Sequence, residues 1–341
     1  MKRLLCAVLI IVLLLSGCAQ PLSQPEQKQY NATFLDLFDT VTTIVGKAES
    51  EADFQEKAQT IHDELQKLHQ LFDIYNDYDG INNLKTINDA AGNEAVTVDP
   101  AIILLLSDCK DYDTATGGKV NAAMGSVLQL WHEARNDSID DPQNAYLPNA
   151  DALAEAAKHT NFDDVIIDKT ASTVYISDPQ LRLDVGAIAK GWATQLVADS
   201  SPVGLLISVG GNVCATGPKD DNGTPWVVGI QNPDGGNYLH TVNIFEECVV
   251  TSGDYQRYFV VDGKPYHHII DPVTLHPATY WRSVTIICND SGVADALSTA
   301  LFLMPRDEGQ ALLDQYGARA MWVDAEGKIY YSPGFETIIK S

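Results

Sequence analysis

The sequence has few basic residues, few cysteines and no apolar run of bilayer-spanning length. Among 341 residues, 22 are Lys or Arg and 46 are Asp or Glu, which leaves a formal charge of -24. A surface of that charge repels phosphate backbones, so we expect no binding to nucleic acid. The apolar run at residues 4–15 has twelve members, whereas a helix that crosses a bilayer needs about 20.

Standard nucleotide-binding and hydrolase motifs are absent as well. The sequence contains no GxxxxGK[ST] P-loop, no GxSxG elbow and no HExxH pair. The glycine-rich residues 208–212 (SVGGN) lack the third glycine and the following helix of a dinucleotide fingerprint. No CxxC occurs, so a zinc site has no support. Motifs of the common hydrolases and dehydrogenases therefore do not explain this chain.

The N-terminus predicts an exported, lipid-anchored protein. A basic start at Lys2 and Arg3 precedes the short apolar run and the residues LSGC, an order typical of a secretory signal. These four residues resemble a bacterial lipobox, in which Cys18 becomes the lipidated first residue. An ordinary signal peptide with a chance cysteine is the alternative. We predict a signal at residues 1–17, a flexible tether at 18–30 and one domain at 31–341, placed at the bacterial cell membrane outside the cytoplasm. Removing the signal changes the charge from -24 to -26, because it takes away two basic residues and no acidic ones.

The remaining cysteines do not predict a disulfide scaffold. Cys6 lies in the signal, and four other cysteines are widely spaced in mostly apolar surroundings. We predict that these are buried thiols, with one disulfide as the alternative in an exported protein. They are Cys109, Cys214, Cys248 and Cys288.

Helical and strand patterns alternate without a regular βαβ order. Apolar residues from Phe54 to Phe72 recur every three or four positions, and Asp99-Pro100 is typical of a helix start. Predicted helices cover residues 51–75, 100–115, 122–135, 151–159, 187–198, 294–302 and 306–316. Predicted strands cover residues 34–46, 164–168, 173–177, 205–209, 226–231, 240–245, 257–261, 266–270, 282–288, 320–323 and 328–331. This pattern predicts an α+β fold, one large domain with largely antiparallel sheet and flanking helices.

Two polar clusters lie where a strand meets a turn. Asp184 and Lys190 flank a glycine turn and the start of a helix. This arrangement is typical of ligand-binding sites and equally of helix N-caps. Thr251 and Ser252 end a hydrophobic strand before Gly253, and such hydroxyls with free backbone N–H groups can hold phosphate oxygens. A plain turn is the alternative for this second cluster.

Two further clusters carry histidines and a carboxylate. On the strand predicted at residues 266–270, His267 and His268 point to opposite faces, so we expect one in solvent and the other at a site. On the helix predicted around residue 295, Asp295 and Thr299 lie one turn apart on one face. A carboxylate and a hydroxyl in this arrangement suit a hard cation with oxygen ligands. The alternative is an acid that favours the helix dipole.

These clusters resemble, in their order along the chain, the ApbE family of FAD:protein FMN transferases. The resemblance runs from about residue 34 to the C-terminus. The segments that carry it are residues 38–41 (FDTV), 72–88, 117–121 (GGKVN), 130–131 (LW), 184–192 (DVGAIAKGW), 209–212 (VGGN), 226–230 (WVVGI), 251–255 (TSGDY), 268–272 (HIIDP) and 283–301.

The resemblance implies a reaction and a set of site residues. Members of the family bind FAD and Mg²⁺, transfer FMN to a threonine hydroxyl of a partner flavoprotein and release AMP. Metal positions match Ala187 (through its backbone oxygen), Asp295 and Thr299, in agreement with the helical spacing, and His268 is the candidate base. Expected FAD contacts, with the two hydroxyls of the second cluster included, are Phe38, Tyr75, Lys119, Val120, Asn121, Asp184, Lys190, Thr251, Ser252 and His268.

Three departures from the family pattern bear on these expectations. Phe38 stands where methionine is common, and could stack on the flavin. Residues 120–123 (VNAA) replace Phe-Asp-Pro-Thr and lose a carboxylate and a hydroxyl. Leu275 replaces the glycine of Asp-Pro-x-Thr-Gly, which costs turn freedom, so we expect a differently shaped loop after His268.

The expected chemistry fits the negative charge. Since so acidic a chain is not expected to present a general basic pocket, a Mg²⁺ would neutralise the FAD pyrophosphate locally. An imidazole titrates near neutrality, which makes His268 a reasonable base for the incoming threonine. Two other functions remain open: an FAD pyrophosphatase that gives FMN and AMP, and a non-catalytic flavin-binding lipoprotein.

Overall fold

Eight antiparallel strands form the central sheet of the structure, a computed structural model that describes residues 27–340. Cys18 and the predicted signal lie outside these residues. The first strand starts at Lys28, inside the segment predicted as tether. In their order across the sheet the strands are β1 (Lys28–Leu37), β2 (Thr40–Ala48), β6 (Leu205–Val209), β7 (Asn212–Ala215), β10 (Cys248–Gly253), β13 (Ser283–Cys288), β14 (Arg319–Val323) and β15 (Ile329–Tyr331).

Three small antiparallel sheets accompany the central one. The first holds β3 (Val96–Thr97), β5 (Thr173–Ile176) and β4 (Val165–Asp168). Two hairpins follow, β8 (Trp226–Ile230) with β9 (His240–Ile244), and β11 (Tyr258–Val261) with β12 (Lys264–His267). Because every named strand pair is antiparallel and the helices lie beside the sheets, the predicted α+β class is confirmed.

Eight α-helices complete the described fold. None of them combines the length and the apolar composition that a membrane crossing demands. They are α1 (Glu51–Phe72), α2 (Leu84–Asp89), α3 (Pro100–Ala115), α4 (Gly125–Asp140), α5 (Ala150–Ala156), α6 (Ala189–Ser200), α7 (Ser291–Phe302) and α8 (Arg306–Tyr316).

Local sequence signals explain where the main helices begin. Ser50 caps α1 by accepting a hydrogen bond from the Asp53 N–H (3.2 Å), and Asp99 caps α3 ahead of Pro100, as predicted. Asp290 caps α7 through the Val293 N–H (2.9 Å). The apolar positions predicted for the long helix are buried, so its core-facing side is confirmed.

The central sheet separates two hydrophobic clusters. Val250 of β10 belongs to the larger cluster, which includes residues of α1, α6 and α7, whereas its neighbour Val249 belongs to a second cluster under the β8–β9 hairpin. This alternation follows from the two-residue period of a strand. A third cluster joins α4 to the β11–β12 hairpin through Trp131 and Phe259. The larger cluster packs α6 and α7 on one face of the central sheet, and the third cluster fixes α4 against the β11–β12 hairpin.

The single strand predicted at residues 34–46 is wrong, because the chain turns back at Phe38 and Asp39. Both residues have positive φ (52° and 50°) and join β1 to β2 in a two-residue hairpin turn. Such turns favour Gly, Asn and Asp, so Asp39 fits this turn, whereas the bulky Phe38 does not. The strand-like composition of residues 34–46 continues through the turn, so little in the sequence indicates that the chain reverses there.

The prediction of four buried thiols is wrong for two of them. Cys214 and Cys248 occupy opposite positions on β7 and β10 and form a disulfide. Cys288 of β13 stands opposite Cys248 on its other side, but remains a free buried thiol, as does Cys109. Spacing in the sequence could not reveal which strands are neighbours.

Candidate functional site

The predicted metal residues lie where α6 and α7 approach each other closely. A Cβ atom on Gly191 of α6 would overlap the Ser291 carbonyl oxygen and the Cβ of Asp295 on α7, so this contact requires glycine. The Gly191 N–H donates to Asp295 Oδ2 (2.8 Å), and Lys190 Nζ lies 3.8 Å from the same oxygen. Asp295 is thereby a buried carboxylate held between a backbone donor and a cation.

This contact leaves oxygen atoms available for a cation. In a regular helix the Gly191 N–H would donate to the Ala187 carbonyl, but here it donates to Asp295. Among the described residues no donor reaches the Ala187 carbonyl oxygen or Asp295 Oδ1. Thr299, half-buried, follows Asp295 by one helical turn. Two open oxygens and a nearby hydroxyl form a donor set that fits Mg²⁺.

The site has only one acidic ligand. No group of three or more His, Cys, Asp or Glu residues in the described part of the chain could hold a metal ion. Mg²⁺ is commonly bound through one or two carboxylates together with water and substrate phosphates. The residues present fit a Mg²⁺ that a bound phosphate helps to hold, rather than a permanent protein-enclosed ion.

Thr251 and Ser252 face opposite sides of the central sheet. The Ser252 and Ser298 hydroxyls lie 2.8 Å apart, which places Ser252 against α7. Thr251 instead pairs with the hydroxyl of Thr285 (2.8 Å), on the side of the β8–β9 hairpin. Only Ser252 therefore shares a face with Asp295.

His268 lies just after β12, which ends at His267 rather than at the predicted residue 270. Its Nδ1 is 3.1 Å from the Arg257 carbonyl oxygen, and since a carbonyl only accepts, Nδ1 carries the proton. Nε2 has no hydrogen bond within the described residues and is free to accept. Burial, with the Arg257 charge, lowers the pKa of His268 to about 3, so the ring is neutral near pH 7.

His267 has a different role. Its Nε2 lies 2.9 Å from the Ala278 carbonyl, and its Nδ1 accepts from the Ile269 N–H (3.2 Å). Both ring nitrogens are thus used within the loop, and burial lowers the pKa of this histidine as well. His268, not His267, presents a free nitrogen.

Tyr75 and Asp184 meet at a residue that sequence reasoning missed. The Tyr75 hydroxyl is 2.8 Å from Nδ1 of His132 on α4, and Asp184 Oδ2 is 4.0 Å from the same nitrogen. Tyr75 is 59% exposed, which leaves one face of its ring open for stacking. Burial lowers the pKa of His132, although the Asp184 charge opposes this effect.

Cations collect at this site despite the acidic chain. Burial and the nearby Arg257 charge lower the pKa of Arg135, and both arginines act on His132 and Tyr75. Arg257 and Lys190 act in turn on His268. The carboxylates of Asp184 and Asp295 lie among these cations, so the expectation that the chain presents no general basic pocket stays a prediction. The available signal was the three-residue spacing of His132 and Arg135 on a predicted helix, directly after Trp131.

Residues 119–121 serve mostly as supports. Lys119 Nζ lies 3.4 Å from Oδ2 of the buried Asp271, just beyond His268. Asn121 donates to the Thr160 carbonyl (2.8 Å) and accepts from the Ala123 N–H (2.7 Å), and Val120 is buried in the core. The Lys119 ion pair thus connects this segment to the His268 loop.

Phe38 lies in a strained turn against α1. A bulky residue rarely has positive φ, and its backbone N–H donates to His69 Nδ1 (3.2 Å) while the two rings meet edge to face at 5.4 Å. The half-buried ring is fixed in place at the hairpin tip. Strain of this kind is commonly retained at functional sites.

The loop after His268 keeps a glycine-like turn without glycine. Leu275 has φ 61°, and its N–H donates to the Asp271 carbonyl (2.8 Å) while its own carbonyl accepts from Trp131 Nε1 (3.0 Å). The leucine adopts the left-handed conformation that glycine favours, at a cost of about 1–2 kcal/mol. A loop shaped differently from that of the family stays a prediction.

The structure brings part of the predicted set together. Tyr75 contacts His132, which lines the same cleft as His268, and Lys190 approaches Asp295. Thr251, Val120 and Asn121 do not direct a free side-chain polar group into the site. The arrangement combines an aromatic face, cations, a neutral imidazole and open oxygens, as a site for an aromatic phosphate ester requires.

Solved structures of flavin transferases share this fold. The crystal structure of the ApbE protein from Thermotoga maritima matches with a TM-score of 0.81 and 30% identity, over 92% of this chain and 100% of that one. The flavin transferase ApbE from Vibrio cholerae, at 22% identity, shares the fold with a TM-score of 0.76, over 92% of this chain and 100% of that one. The fold is thus that of the flavin transferases.

Sequence comparison identifies the family. The model of the ApbE family matches residues 38–322, so the chain belongs to the ApbE family. A protein named FAD:protein FMN transferase from Treponema pallidum is 35% identical over 271 residues, which cover 74% of this chain and 73% of that protein. One of the same name from Klebsiella pneumoniae is 34% identical over 268 residues, or 74% of this chain and 80% of that protein.

Proposed function

We propose that this protein transfers FMN from FAD to a threonine hydroxyl of a partner flavoprotein and releases AMP, with Mg²⁺ bound during the reaction. The observation that carries the proposal is the junction of α6 and α7, where the buried Asp295 lies 3.8 Å from Lys190 and keeps one carboxylate oxygen open. The names of the relatives support the same reaction class.

The flavin end of the substrate would lie at Tyr75. Its exposed ring offers a stacking face, and its hydrogen bond to His132 limits rotation of the ring. Phe38, Asp184 and residues 119–121 would complete the contacts with the isoalloxazine and ribityl groups. Ser252 is better placed than Thr251 to approach the phosphates, since its hydroxyl faces α7.

The Ala187 carbonyl oxygen, Asp295 and Thr299 would hold the Mg²⁺. When bound there, the ion would neutralise charge on the pyrophosphate and on the departing AMP. The protein supplies the position of these oxygens, because the Gly191 N–H fixes the Asp295 carboxylate and leaves Oδ1 open. Lys190 adds a fixed positive charge beside the same group.

His268 would accept the proton of the threonine hydroxyl at Nε2. The Nδ1–H bond to the Arg257 carbonyl fixes the ring and its tautomer, so Nε2 faces the reaction as an acceptor. Burial and the Arg257 charge hold the pKa of His268 near 3, which makes the free ring a weak base. A bound pyrophosphate would offset the positive charge of Arg257 and Lys190 and raise the basicity of the ring when it is needed.

We also propose that residues 1–17 are removed and that a lipid on Cys18 anchors the protein to the membrane, outside the cytoplasm. The described domain begins at Lys28, and about ten residues would then separate it from the lipid. A tether of that length lets the site reach an acceptor at the membrane surface.

Release of AMP with and without an acceptor protein tests the proposed reaction. Purified protein, FAD and Mg²⁺ are mixed with a candidate threonine-containing flavoprotein, and flavin fluorescence on the acceptor is recorded in a denaturing gel. We expect AMP release that requires the acceptor and covalent fluorescence in equal amounts. Equal AMP release without an acceptor would instead show an FAD pyrophosphatase, and tight FAD binding with no AMP would show a flavin-binding lipoprotein.

A further inference from the structure

Tyr75, the proposed flavin-stacking residue, lies in the loop between α1 and α2. The helix α1 ends at Phe72, and Tyr75 is the third residue after it. Because its side chain is 59% exposed, the surrounding protein covers less than half of it. The Tyr75 hydroxyl lies 2.8 Å from His132 Nδ1, which restrains only the tip of the ring. The loop itself must therefore fix the other end of the side chain.

The carboxylate of Asp73 organises this loop. Its Oδ1 accepts from the backbone N–H groups of Tyr75 (2.6 Å) and Asn76 (3.1 Å). Its Oδ2 accepts from the side-chain amide of Asn76 (2.9 Å) and from the hydroxyl of Tyr78 (2.8 Å). Four neutral donors therefore converge on one buried side chain, two on each oxygen. Hydrogen bonds to an ionised acceptor are stronger than those between neutral groups.

Asp73 is ionised near neutral pH. Burial raises the pKa of this carboxyl, but the hydrogen bonds from Asn76, Tyr75 and Tyr78 outweigh burial, so the pKa lies below its usual value. A buried charge is costly unless its hydrogen-bond donors stay in place. The carboxylate and the loop therefore hold each other in one conformation.

Other contacts attach the loop to both helices without the Asp73 side chain. The buried Asn83 donates to the carbonyl oxygens of Gln70 (3.2 Å) and Asn76 (2.9 Å). The Lys85 N–H donates to the backbone carbonyl of Asp73 (3.0 Å). Loss of the carboxylate should therefore loosen the loop around Tyr75 while α1 and α2 stay packed.

Tyr75 is thus held at both ends. Asp73 fixes its backbone N–H, and His132 fixes its hydroxyl. Stacking on an aromatic ligand depends on the angle and the offset of the two rings. A ring that is already oriented loses little conformational freedom when the ligand binds, so this arrangement favours affinity.

We propose that Asp73 is a positioning residue, which holds the backbone of Tyr75 so that the tyrosine ring is presented to a flat aromatic ligand. That this ligand is a flavin rests on the proposed function. Asp73 acts through Tyr75 and does not contact the ligand. A merely structural residue would instead change the stability of the fold, and its effect on ligand affinity would not depend on Tyr75.

A double-mutant cycle on flavin binding tests this role. Kd values for riboflavin, FMN and FAD are measured by fluorescence quenching in EDTA, so neither Mg²⁺ nor an acceptor is needed. Asp73→Ala should raise all three by the same factor, about three- to tenfold, because one aromatic pair limits the loss. In the Tyr75→Ala background it should change them less than about twofold, since residues that act through one contact are not additive. AMP has no flavin, and its Kd, measured by competition, should stay unchanged.

Three further variants separate positioning from folding. Asp73→Asn keeps an acceptor oxygen for the Tyr75 N–H and should recover most of the affinity. Asp77→Ala is the matched control, because the exposed Asp77 carboxylate lies in the same loop and pairs with Lys85 Nζ (3.2 Å). It should leave every Kd unchanged. If urea unfolding shows that Asp73→Ala does not fold, Asp73→Ser completes the cycle, and its smaller loss must likewise vanish in the Tyr75→Ala background.

Two sets of outcomes distinguish this proposal from the proposed reaction. Additive effects of Asp73→Ala and Tyr75→Ala would overturn the positioning role, as would unchanged riboflavin affinity or an equal loss for AMP. If the wild-type protein binds flavin but releases no AMP with an acceptor, while the cycle is non-additive, the transfer reaction is wrong and the positioning role stands. If transfer proceeds and the cycle is additive, only the positioning role is wrong.

Discussion

Replacing Asp295 by asparagine removes the one carboxylate of the proposed metal site while retaining its shape. The asparagine side-chain oxygen can still accept from the Gly191 N–H, which Asp295 Oδ2 does now at 2.8 Å. The close contact of α6 and α7 is therefore expected to remain. Lys190, 3.8 Å from Oδ2, would lose its partner and keep its charge.

The size of the effect follows from the lost charge. The Asp295 carboxylate and one unit of positive charge about 4 Å away represent the metal contact. Such a pair attracts by about 4 kcal/mol at an effective dielectric constant of about 20. If roughly two-thirds of that attraction supports the transition state, the barrier rises by about 2.7 kcal/mol, or about 10²-fold in rate. FAD affinity in EDTA should change much less, because the proposed stacking on Tyr75 does not involve Asp295.

The assay is AMP release with a fixed acceptor at several Mg²⁺ concentrations. Asp295→Asn should be slow in limiting Mg²⁺ and partly rescued by excess metal. Asp307→Asn is the matched control, since it removes one negative charge from the exposed first turn of α8. A wild-type rate for Asp295→Asn in limiting Mg²⁺ would refute the metal assignment. Wild-type transfer unaffected by EDTA would mean that the reaction does not need Mg²⁺, and would refute this assignment as well.

Four other changes test separate parts of the structure. Tyr75→Ala should weaken FAD binding roughly tenfold by removing the stacking face, and unchanged fluorescence quenching would place the flavin elsewhere. Gly191→Ala forces α6 away from α7 and should cost about 1–3 kcal/mol in urea unfolding together with Mg²⁺-dependent activity; normal stability and rate would contradict the close contact. The pKa of His268 is near 3 when folded and near 6.5 when unfolded, so the unfolded state binds the extra proton and stability falls as pH decreases from about 6.5 toward 3. His268→Gln should make that fall shallower, and an identical pH dependence of the unfolding midpoint would disagree. Cys18→Ser should release the protein from membranes without loss of FAD binding, whereas retention after a carbonate wash would exclude the lipid anchor.

Local signals predicted most helices and many strands. The Asp99-Pro100 start and the bounds of α3 and α8 were right to the residue, because caps and apolar periodicity act within a few positions. The β1–β2 hairpin was missed because Phe38 adopts a positive φ that a bulky side chain disfavours. Tertiary contacts, including the hydrogen bond from the Phe38 N–H to His69, hold this turn and are not visible in sequence.

The candidate site was predictable in part for the same reason. Asp295 and Thr299 lie on one helix, so their spacing alone indicated a shared face. His132 and His268 come from distant parts of the chain and line one cleft because α4 packs against the β11–β12 hairpin. The disulfide between Cys214 and Cys248 depends likewise on which strands are neighbours. Net charge could not show where individual cations such as Lys190 lie, since it averages over the whole surface.

The small number of acidic ligands in the proposed metal site has a consequence for binding order. Asp295 is the one buried carboxylate there, and Lys190 lies 3.8 Å from it. Because Mg²⁺ completes its coordination with water and substrate phosphates, the proposed metal and the pyrophosphate would each support the binding of the other. Linkage then requires that Mg²⁺ raise the affinity for FAD by the same factor by which FAD raises the affinity for Mg²⁺. Riboflavin, without phosphate, should show no such coupling, so the site can remain empty of metal until its substrate is present.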